Sequence, residues 1–264
     1  MLKIAIVGKG GVGKTMIASC FAYLLAAQEK EVYAIDADPN PTLGQALGFP
    51  HDILNKIQPI IELKGLIKER VGTDPDSYGT YFKLNPHVVD IPERFSALHR
   101  SIKLLIMGTT RGANTGCACA ENVLLKSLMN HLILKSKQTV VMDMVAGTEH
   151  LGRGTAEKVD VMILVTEPTM RSIEAGKSII ELVKQIKNTR RYIIVNKMRN
   201  ENDVDLIEQN FPGEKIAGCI KWNNKVLDSE NRGVPVFDTV PEVVEQVNSV
   251  LTKITVEQND FVAA

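Results

Sequence analysis

One short glycine-rich stretch near the start of the chain constrains the fold more than any other feature. Residues 8–15 read GKGGVGKT and match the phosphate-binding P-loop pattern G-x-x-x-x-G-K-[ST]. An apolar run at 2–7 precedes the motif and an amphipathic pattern at 14–27 follows it, which is the strand–loop–helix context that the motif requires. A glycine turn that binds nothing is the alternative. The presence of every fixed position in that context argues against it.

The residue types of this loop suit a polyphosphate. Glycines let backbone N–H groups curl around phosphate oxygens, Lys14 supplies positive charge, and the Thr15 hydroxyl can bind Mg²⁺. The start of the following helix adds a favourable dipole. The predicted nucleotide contacts in this segment are Gly8, Lys9, Gly10, Gly11, Val12, Gly13, Lys14, Thr15 and Met16.

Apolar runs alternate with amphipathic stretches along most of the chain, and this order predicts parallel βαβ units. Strands are predicted at 2–7, 32–36, 102–107, 139–144, 159–166, 192–198 and 215–220. Helices are predicted at 14–27, 120–134, 170–187, 203–210 and 241–254. The strands are apolar almost throughout, as expected for a sheet that is covered on both faces. The predicted fold class is therefore α/β: a doubly wound, mostly parallel sheet of about seven strands with helices on both faces.

The length and the pattern predict a single P-loop domain over residues 1–254, followed by a tail at 255–264. Residues 48–100 fit the alternation worst, because they contain several prolines and little clean periodicity. We interpret them as an insertion that covers the site, with a helix near 60–71 and extended pieces near 80–91. The tail is weakly patterned, and we expect it to fray.

The charge balance excludes some classes of partner. Lys and Arg number 31 and Asp and Glu number 31, so the formal net charge is zero, and no global basic field exists to hold nucleic acid or an anionic membrane. No apolar stretch approaches the roughly 18 residues of a transmembrane helix, and the first residues do not resemble a signal peptide. Four cysteines do not make a disulfide scaffold. We therefore expect a cytoplasmic protein without a nucleic-acid or membrane partner.

Polar residues stand where the predicted strands end. Asp38 comes after the second apolar run, and Asp143 lies near the end of the run at 139–144, where an acid can hold Mg²⁺ directly or through water. Gly147 can offer its N–H to a γ-phosphate, and Asn196 can recognise adenine with its amide. Simpler interpretations stay open, with Asp38 as a turn or helix-cap residue and Asn196 as a turn residue.

Cys117 and Cys119 form a Cys-x-Cys pair just before a predicted helix. Thiols near a helix N-terminus have a lowered pKa, and the thiolate is the form that binds metal. Two sulfurs do not close a structural zinc site, which takes four ligands, but a two-fold dimer would supply the other two by symmetry. A chance pair of loop thiols and a redox pair are the alternatives. Cys20 and Cys219 fall in apolar helix and strand patterns, and we interpret them as buried apolar residues.

The string KGGVGKT at 9–15 resembles the signature of the deviant Walker A ATPases, the family of MinD, ParA and the nitrogenase iron protein. An ordinary P-loop does not need Lys9, and two lysines on one loop repel each other unless an anion lies between them. The resemblance implies a homodimer when ATP is bound, in which Lys9 reaches across the interface to the partner's nucleotide and acts with Lys14 in catalysis. It also implies that Asp38 belongs to switch I and orients the attacking water. Met16 departs from the family, where a second Thr or Ser is common.

Further strings resemble one branch of that family, the CooC-like nickel-insertion ATPases of carbon monoxide dehydrogenase maturation. They are LGQALG at 43–48, LNPHVVDIP at 84–92, GCAC at 116–119 and DMVAGTEHLGRG at 143–154. In that branch the paired cysteines of two subunits hold one metal ion at the dimer interface. The resemblance therefore implies Ni²⁺ or Zn²⁺ at Cys117 and Cys119, in addition to ATP or ADP and Mg²⁺ in the nucleotide site. Val145 stands where the branch usually has Glu.

The sequence thus favours a dimeric ATPase metallochaperone that inserts nickel into carbon monoxide dehydrogenase or a related nickel enzyme. One alternative is an ATP-gated electron donor resembling the nitrogenase iron protein, because four interfacial thiolates can hold an iron–sulfur cluster. Another alternative is a positioning switch resembling MinD or ParA. The stretch 241–254 has one lysine against two glutamates, and Arg190-Arg191 is the only arginine doublet, so neither a basic membrane helix nor a basic patch supports the switch.

Overall fold

All the strands of the described chain belong to one sheet. The computed structural model describes residues 2–28, 30–73, 81, 83–108, 119–134, 138–144, 159–184 and 189–262. The strands are β1 (Lys3–Val7), β2 (Val32–Ala37), β3 (Ala97–His99), β4 (Ile102–Ile106), β5 (Thr139–Met144), β6 (Val161–Thr166), β7 (Arg190–Met198) and β8 (Ile216–Lys221). Their order across the sheet is β3-β4-β2-β5-β1-β6-β7-β8. Neighbouring strands are parallel except at one edge, where β3 runs antiparallel to β4.

Helices cover both faces of this sheet. They are α1 (Lys14–Ala26), α2 (Leu43–Ala46), α3 (His51–Leu54), α4 (Lys64–Val71), α5 (Ile91–Phe95), α6 (Cys119–Leu134), α7 (Met170–Lys184), α8 (Asn202–Asn210), α9 (Asn224–Asn231), α10 (Val236–Thr239) and α11 (Pro241–Val262). One apolar core lies under α1 and α11 and takes Ile4 and Ile6 of β1, and the other lies under α6 and α7 and takes Ala5 and Val7. Successive side chains of a strand point to opposite faces. The central strands therefore have to be apolar throughout, and the predicted doubly wound α/β class is confirmed.

The strand count is the part of the fold prediction that differs. All seven predicted strands are present, and the eighth is β3, a three-residue edge strand. Arg100 and Ser101 form the tight turn between β3 and β4 with positive φ angles of 49° and 61°. Two-residue hairpin turns with positive φ usually carry Asn or Gly, because other side chains strain there. The sequence therefore lacks the usual signal for this hairpin.

The segment at 48–100 contains more helix than predicted. The predicted helix at 60–71 is a 3₁₀ turn (Ile60–Glu62) followed by α4, and Leu63 separates the two with a ψ of 68°. Within the predicted extended pieces at 80–91, the described residues contain no strand. The helix α4 packs against α6, so this segment joins the core on the α6 side of the sheet.

The C-terminal helix α11 continues to Val262, beyond the end predicted at residue 254. Glu257 stabilises the added turns, because its carboxylate accepts a hydrogen bond of 2.7 Å from the Tyr192 hydroxyl and forms an ion pair of 3.3 Å with Lys215. These contacts join residues that are far apart in sequence, so the local pattern did not predict them. Among the described helices, none combines the length and the apolar character that crossing a membrane requires.

Two helical glycines give a matched test of this packing. A methyl group at Gly176 of α7 would lie 2.8 Å from a ring carbon of Phe211 and 3.2 Å from a methyl carbon of Leu164, whereas nothing lies within 4 Å of one at Gly65 of α4. We expect Gly176→Ala to lower the free energy of unfolding by about 1–3 kcal/mol through overpacking. We expect Gly65→Ala to raise it by about 0.5–1 kcal/mol through helix propensity. Urea unfolding of both variants measures the difference, and equal stabilities would contradict the packing at α7.

Candidate functional site

The P-loop lies at the carboxyl edge of the sheet, between the end of β1 and the first residue of α1. Glycine is required at positions 8 and 13, because other atoms lie too close to leave room for a Cβ. A Cβ at Gly8 would collide with the Val165 carbonyl, and a Cβ at Gly13, where φ is +92°, would collide with the side-chain amide of Asn196. Glycine alone lets the loop lie this close to its neighbouring strands.

The two lysines of the loop lie in opposite environments. Lys14 is buried, and its Nζ lies 3.4 Å from the carbonyl oxygen of Lys9. The Lys9 residue itself is exposed, together with Gly10 and Gly11 at the tip of the loop. A buried ammonium requires an anion or several strong acceptors, so the Lys14 position suits a phosphate inside the loop. Lys9 faces outward from the same loop.

Thr15 and Asp143, which are both predicted to bind Mg²⁺, contact each other. The Thr15 hydroxyl donates a hydrogen bond of 2.5 Å to Oδ2 of Asp143, and the other carboxylate oxygen, Oδ1, is buried without a partner. Asp36 of β2 stands beside Asp143 of β5 in the sheet register. Burial raises the pKa of Asp143, and it raises the pKa of Asp36 to about 7. An orphaned carboxylate oxygen next to a hydroxyl is a fitting donor set for Mg²⁺, which prefers oxygen ligands.

Asp36 also organises the loop that carries Asp38. Its carboxylate accepts hydrogen bonds from the backbone N–H groups of Asp38, at 3.1 Å, and Leu43, at 2.9 Å. The Asp38 carboxylate accepts one from the N–H of Asn40 at 2.9 Å. Asp38 therefore makes a contact typical of a turn residue, as the simpler interpretation predicted. Its role in orienting an attacking water stays a prediction. The sequence reasoning assigned no role to Asp36, although its place at the end of an apolar strand was the available signal.

Asn196 binds the P-loop through its side chain. The Nδ2 group is buried and donates a hydrogen bond of 2.7 Å to the carbonyl of Val12. The next residue, Lys197, donates from Nζ to the carbonyl of Gly11 at 2.7 Å and forms an ion pair of 2.6 Å with Glu167. The amide nitrogen of Asn196 is therefore bonded to Val12, and the contact of Asn196 with adenine stays a prediction. Sequence reasoning gave Lys197 no role.

A cleft of about 130 Å³ opens beside the P-loop. Its walls include Gly13, Met16, Asn196, Trp222, Val226 and Leu227. Trp222 is 43% exposed, its indole N–H donates to Asn224 at 2.8 Å, and the Arg199 guanidinium lies 5.2 Å from its ring centre. A partly apolar cleft with an aromatic wall next to a phosphate loop suits a nucleobase.

Several predicted site residues lie outside the described part of the chain. Gly147 and Cys117 are among them, and so is the side chain of Cys119, although α6 begins at that residue. Among the side chains that the structure does describe, no group of three or more His, Cys, Asp or Glu residues could hold a metal ion. The Cys-x-Cys metal site therefore stays a prediction.

Comparisons with known proteins identify a family and similar sequences. The family model described as the CobQ/CobB/MinD/ParA nucleotide binding domain matches residues 3–236. The chain is 38% identical over 250 residues to the carbon monoxide dehydrogenase accessory protein CooC of Rhodospirillum rubrum, covering 95% of both chains. It is 40% identical over 238 residues to an uncharacterized ATP-binding protein of Methanocaldococcus jannaschii, covering 89% of this chain and 91% of the other.

Solved structures show the same fold at lower identity. A ParA family ATPase from Chlorobium tepidum superposes with a TM-score of 0.68 at 20% identity, over 95% of this chain and 98% of the other. A chain of the MinC:MinD cell division protein complex of Aquifex aeolicus superposes with a TM-score of 0.67 at 19% identity, over 96% of this chain and 95% of the other. The resemblance that the motif strings indicated is therefore confirmed. The chain, whose P-loop lies at the carboxyl edge of the sheet, belongs to the CobQ/CobB/MinD/ParA family of nucleotide-binding proteins and is a P-loop ATPase.

Proposed function

We propose that this ATPase is an accessory factor of carbon monoxide dehydrogenase maturation, and that it delivers nickel to that enzyme or to a related nickel enzyme as an ATP-bound homodimer. The observation that carries the proposal is the alignment with the accessory protein CooC at 38% identity over 95% of both chains. An alignment over nearly the whole chain supports a shared role better than a shared P-loop would.

The ATP chemistry of the proposal uses the described site. Backbone N–H groups of the P-loop and the buried Lys14 bind the phosphates, and the start of α1 adds its dipole. Thr15 and Asp143, which contact each other, would hold Mg²⁺, and the ion would supply positive charge to the phosphate oxygens. Asp38 orients the attacking water when nucleotide rearranges its loop.

Dimerisation in the proposal depends on Lys9. The residue is exposed at the tip of the loop, whereas Lys14 is buried. In an ATP-bound homodimer, Lys9 of each copy would contact the nucleotide of the partner and share in stabilising the charge of the transition state. Hydrolysis would remove this contact between Lys9 and the partner's nucleotide and so weaken the dimer.

The metal is cargo in this proposal. The sequence puts Cys117 and Cys119 just before a predicted helix, and two copies related by a two-fold axis would supply four thiolates from these pairs. Four sulfurs suit Zn²⁺ in a tetrahedral site and Ni²⁺ in a square-planar one, so the donor set accepts either ion. Opening of the dimer after hydrolysis would release the ion to the client enzyme.

The Thr15 hydroxyl gives the first test. We expect Thr15→Val, which keeps the shape but removes the hydroxyl, to lower Mg²⁺-dependent ATP hydrolysis roughly 100-fold, while Thr15→Ser retains most of the rate. Phosphate release under saturating ATP and Mg²⁺ measures both. A valine variant that is as active as the serine variant would exclude Thr15 from the magnesium site.

Lys9 gives the second test. We expect Lys9→Ala to bind ADP and ATP with nearly unchanged affinity and to lose dimerisation by a non-hydrolysable ATP analogue, because its charge acts on the partner's nucleotide. Light scattering during size-exclusion chromatography measures the mass. Lys56→Ala, which removes an exposed lysine after α3, is the matched control. Normal dimerisation of Lys9→Ala would remove the cross-subunit role.

The cysteine pair gives the third test. Anaerobic native mass spectrometry with Ni²⁺ or Zn²⁺ and a non-hydrolysable ATP analogue should detect one metal ion for each dimer of the wild type and none for Cys117→Ser or Cys119→Ser. Cys219→Ala, which changes a half-buried cysteine of β8, should keep the metal. A dimer without metal would contradict the metallochaperone, and a mass increment of iron and sulfide would favour the electron donor instead.

A further inference from the structure

Two consecutive residues of β7 bind two consecutive carbonyl groups of the P-loop. Asn196 donates to the Val12 carbonyl and Lys197 donates to the Gly11 carbonyl, both at 2.7 Å. These contacts span 184 and 186 residues of sequence. They attach the middle of the loop to the sheet from a strand that is distant in sequence.

The backbone of β7 departs from a regular strand where this happens. Neighbouring side chains of an extended strand point to opposite faces, so Asn196 and Lys197 could not both reach one loop from it. Lys197 has a φ of +59°, and the pairing of β7 with β8 shifts register between Val195 and Met198. The left-handed residue breaks the alternation and brings both side chains to the P-loop. A lysine in this conformation is strained, and strain of this kind is typical of functional sites.

The contacts decide which way the peptide groups of the loop face. In a planar trans peptide the C=O and the following N–H point in opposite directions. Holding the Gly11 and Val12 carbonyls toward β7 therefore directs the N–H groups of Val12 and Gly13 away from it. The Val12 N–H donates a hydrogen bond of 3.5 Å to the Lys9 carbonyl oxygen, the same oxygen that the Lys14 ammonium approaches. The N–H of Val12 thus faces the side of the loop on which Lys14 lies.

Glu167 also holds the Lys197 ammonium, which donates to the P-loop. Its carboxylate lies 2.6 Å from Nζ of Lys197, and its own backbone N–H donates to the hydroxyl of Ser172 at 3.0 Å. The side chain of Glu167 is 23% exposed and that of Lys197 is 35% exposed, so water screens the pair only in part. The ammonium is therefore held between the start of α7 and the P-loop.

We propose that Lys197 is a positioning residue for nucleotide binding, whose ammonium turns the Gly11 carbonyl away from the phosphates and is held in place by Glu167. The role is distinct from those of Lys9 and Lys14, because Lys197 binds the loop and not the nucleotide. It rests on the ATP site alone and does not depend on the metal cargo or on the client enzyme.

The test compares substrate binding with folding. We expect Lys197→Met, which keeps the aliphatic stem, to raise the Kd for MgADP and the KM for MgATP roughly tenfold, the range expected for one hydrogen bond to a charged group. The kcat value and the melting temperature of the nucleotide-free protein should stay close to those of the wild type, because the loss is one of binding. Lys197→Arg should restore most of the affinity. Calorimetric titration, steady-state kinetics and thermal unfolding measure these quantities.

The control variant is Lys177→Met, which removes an exposed lysine that pairs with Glu174 within α7 and should change none of them. Glu167→Gln should weaken MgADP binding in the wild type and have no further effect in Lys197→Met, because both changes act on the same contact. Unchanged Kd and KM in Lys197→Met would overturn the proposal. A lowered melting temperature with unchanged affinity, or additive effects of the two variants, would also overturn it by assigning Lys197 a merely structural role.

Discussion

Three charged or titratable groups are buried together at the carboxyl edge of the sheet, and the organisation of the site depends on them. Lys14 is 6% exposed, Asp143 is 1% exposed and Asp36 is fully buried. Each ionised group in such a position costs several kcal/mol of solvation free energy unless it finds a partner. The protein supplies only part of the compensation, because Asp143 keeps one oxygen without a hydrogen bond and Lys14 approaches a carbonyl oxygen at 3.4 Å. An anion at Lys14 and a cation at Asp143 would complete it, and nucleotide with its metal ion would then stabilise the folded chain by mass action.

The sheet makes this arrangement possible because both its faces are covered. The strand β5 lies between β1 and β2, and the register places Asp36 opposite Asp143 across the β2–β5 pair. On the same edge, β1 delivers the P-loop, and α1 begins with Lys14 and Thr15. Burial on both sides leaves these strands no freedom to slip, since a shift of one residue would exchange the two faces. The distance between the Asp143 carboxylate and the Thr15 hydroxyl is therefore set by the apolar packing of these strands.

The sequence predicts the features that arise from local pattern and misses those that arise from contacts across the fold. The P-loop and the seven longer strands are continuous in sequence and have clear apolar runs. The edge strand β3 is short, and its turn at Arg100 and Ser101 lacks the usual residues. Asn196 illustrates the same limit at the site. Its position at a strand end was the signal that made it a candidate, but its bond to Val12 joins residues 184 apart in sequence, which no periodicity encodes.

The exposure of Lys9 bears on how hydrolysis would depend on assembly in the proposed dimer. Two unit charges 4 Å apart interact by about 1 kcal/mol in bulk water, but by about 4 kcal/mol at the effective dielectric constant near a protein surface. In the single chain Lys9 is exposed to solvent, whereas Lys14 is buried. Lys9 would therefore contribute little to phosphate chemistry until a partner excludes water from it. In such a dimer the outer lysine would make the rate of hydrolysis sensitive to dimer formation, while the inner lysine would let each chain bind nucleotide alone.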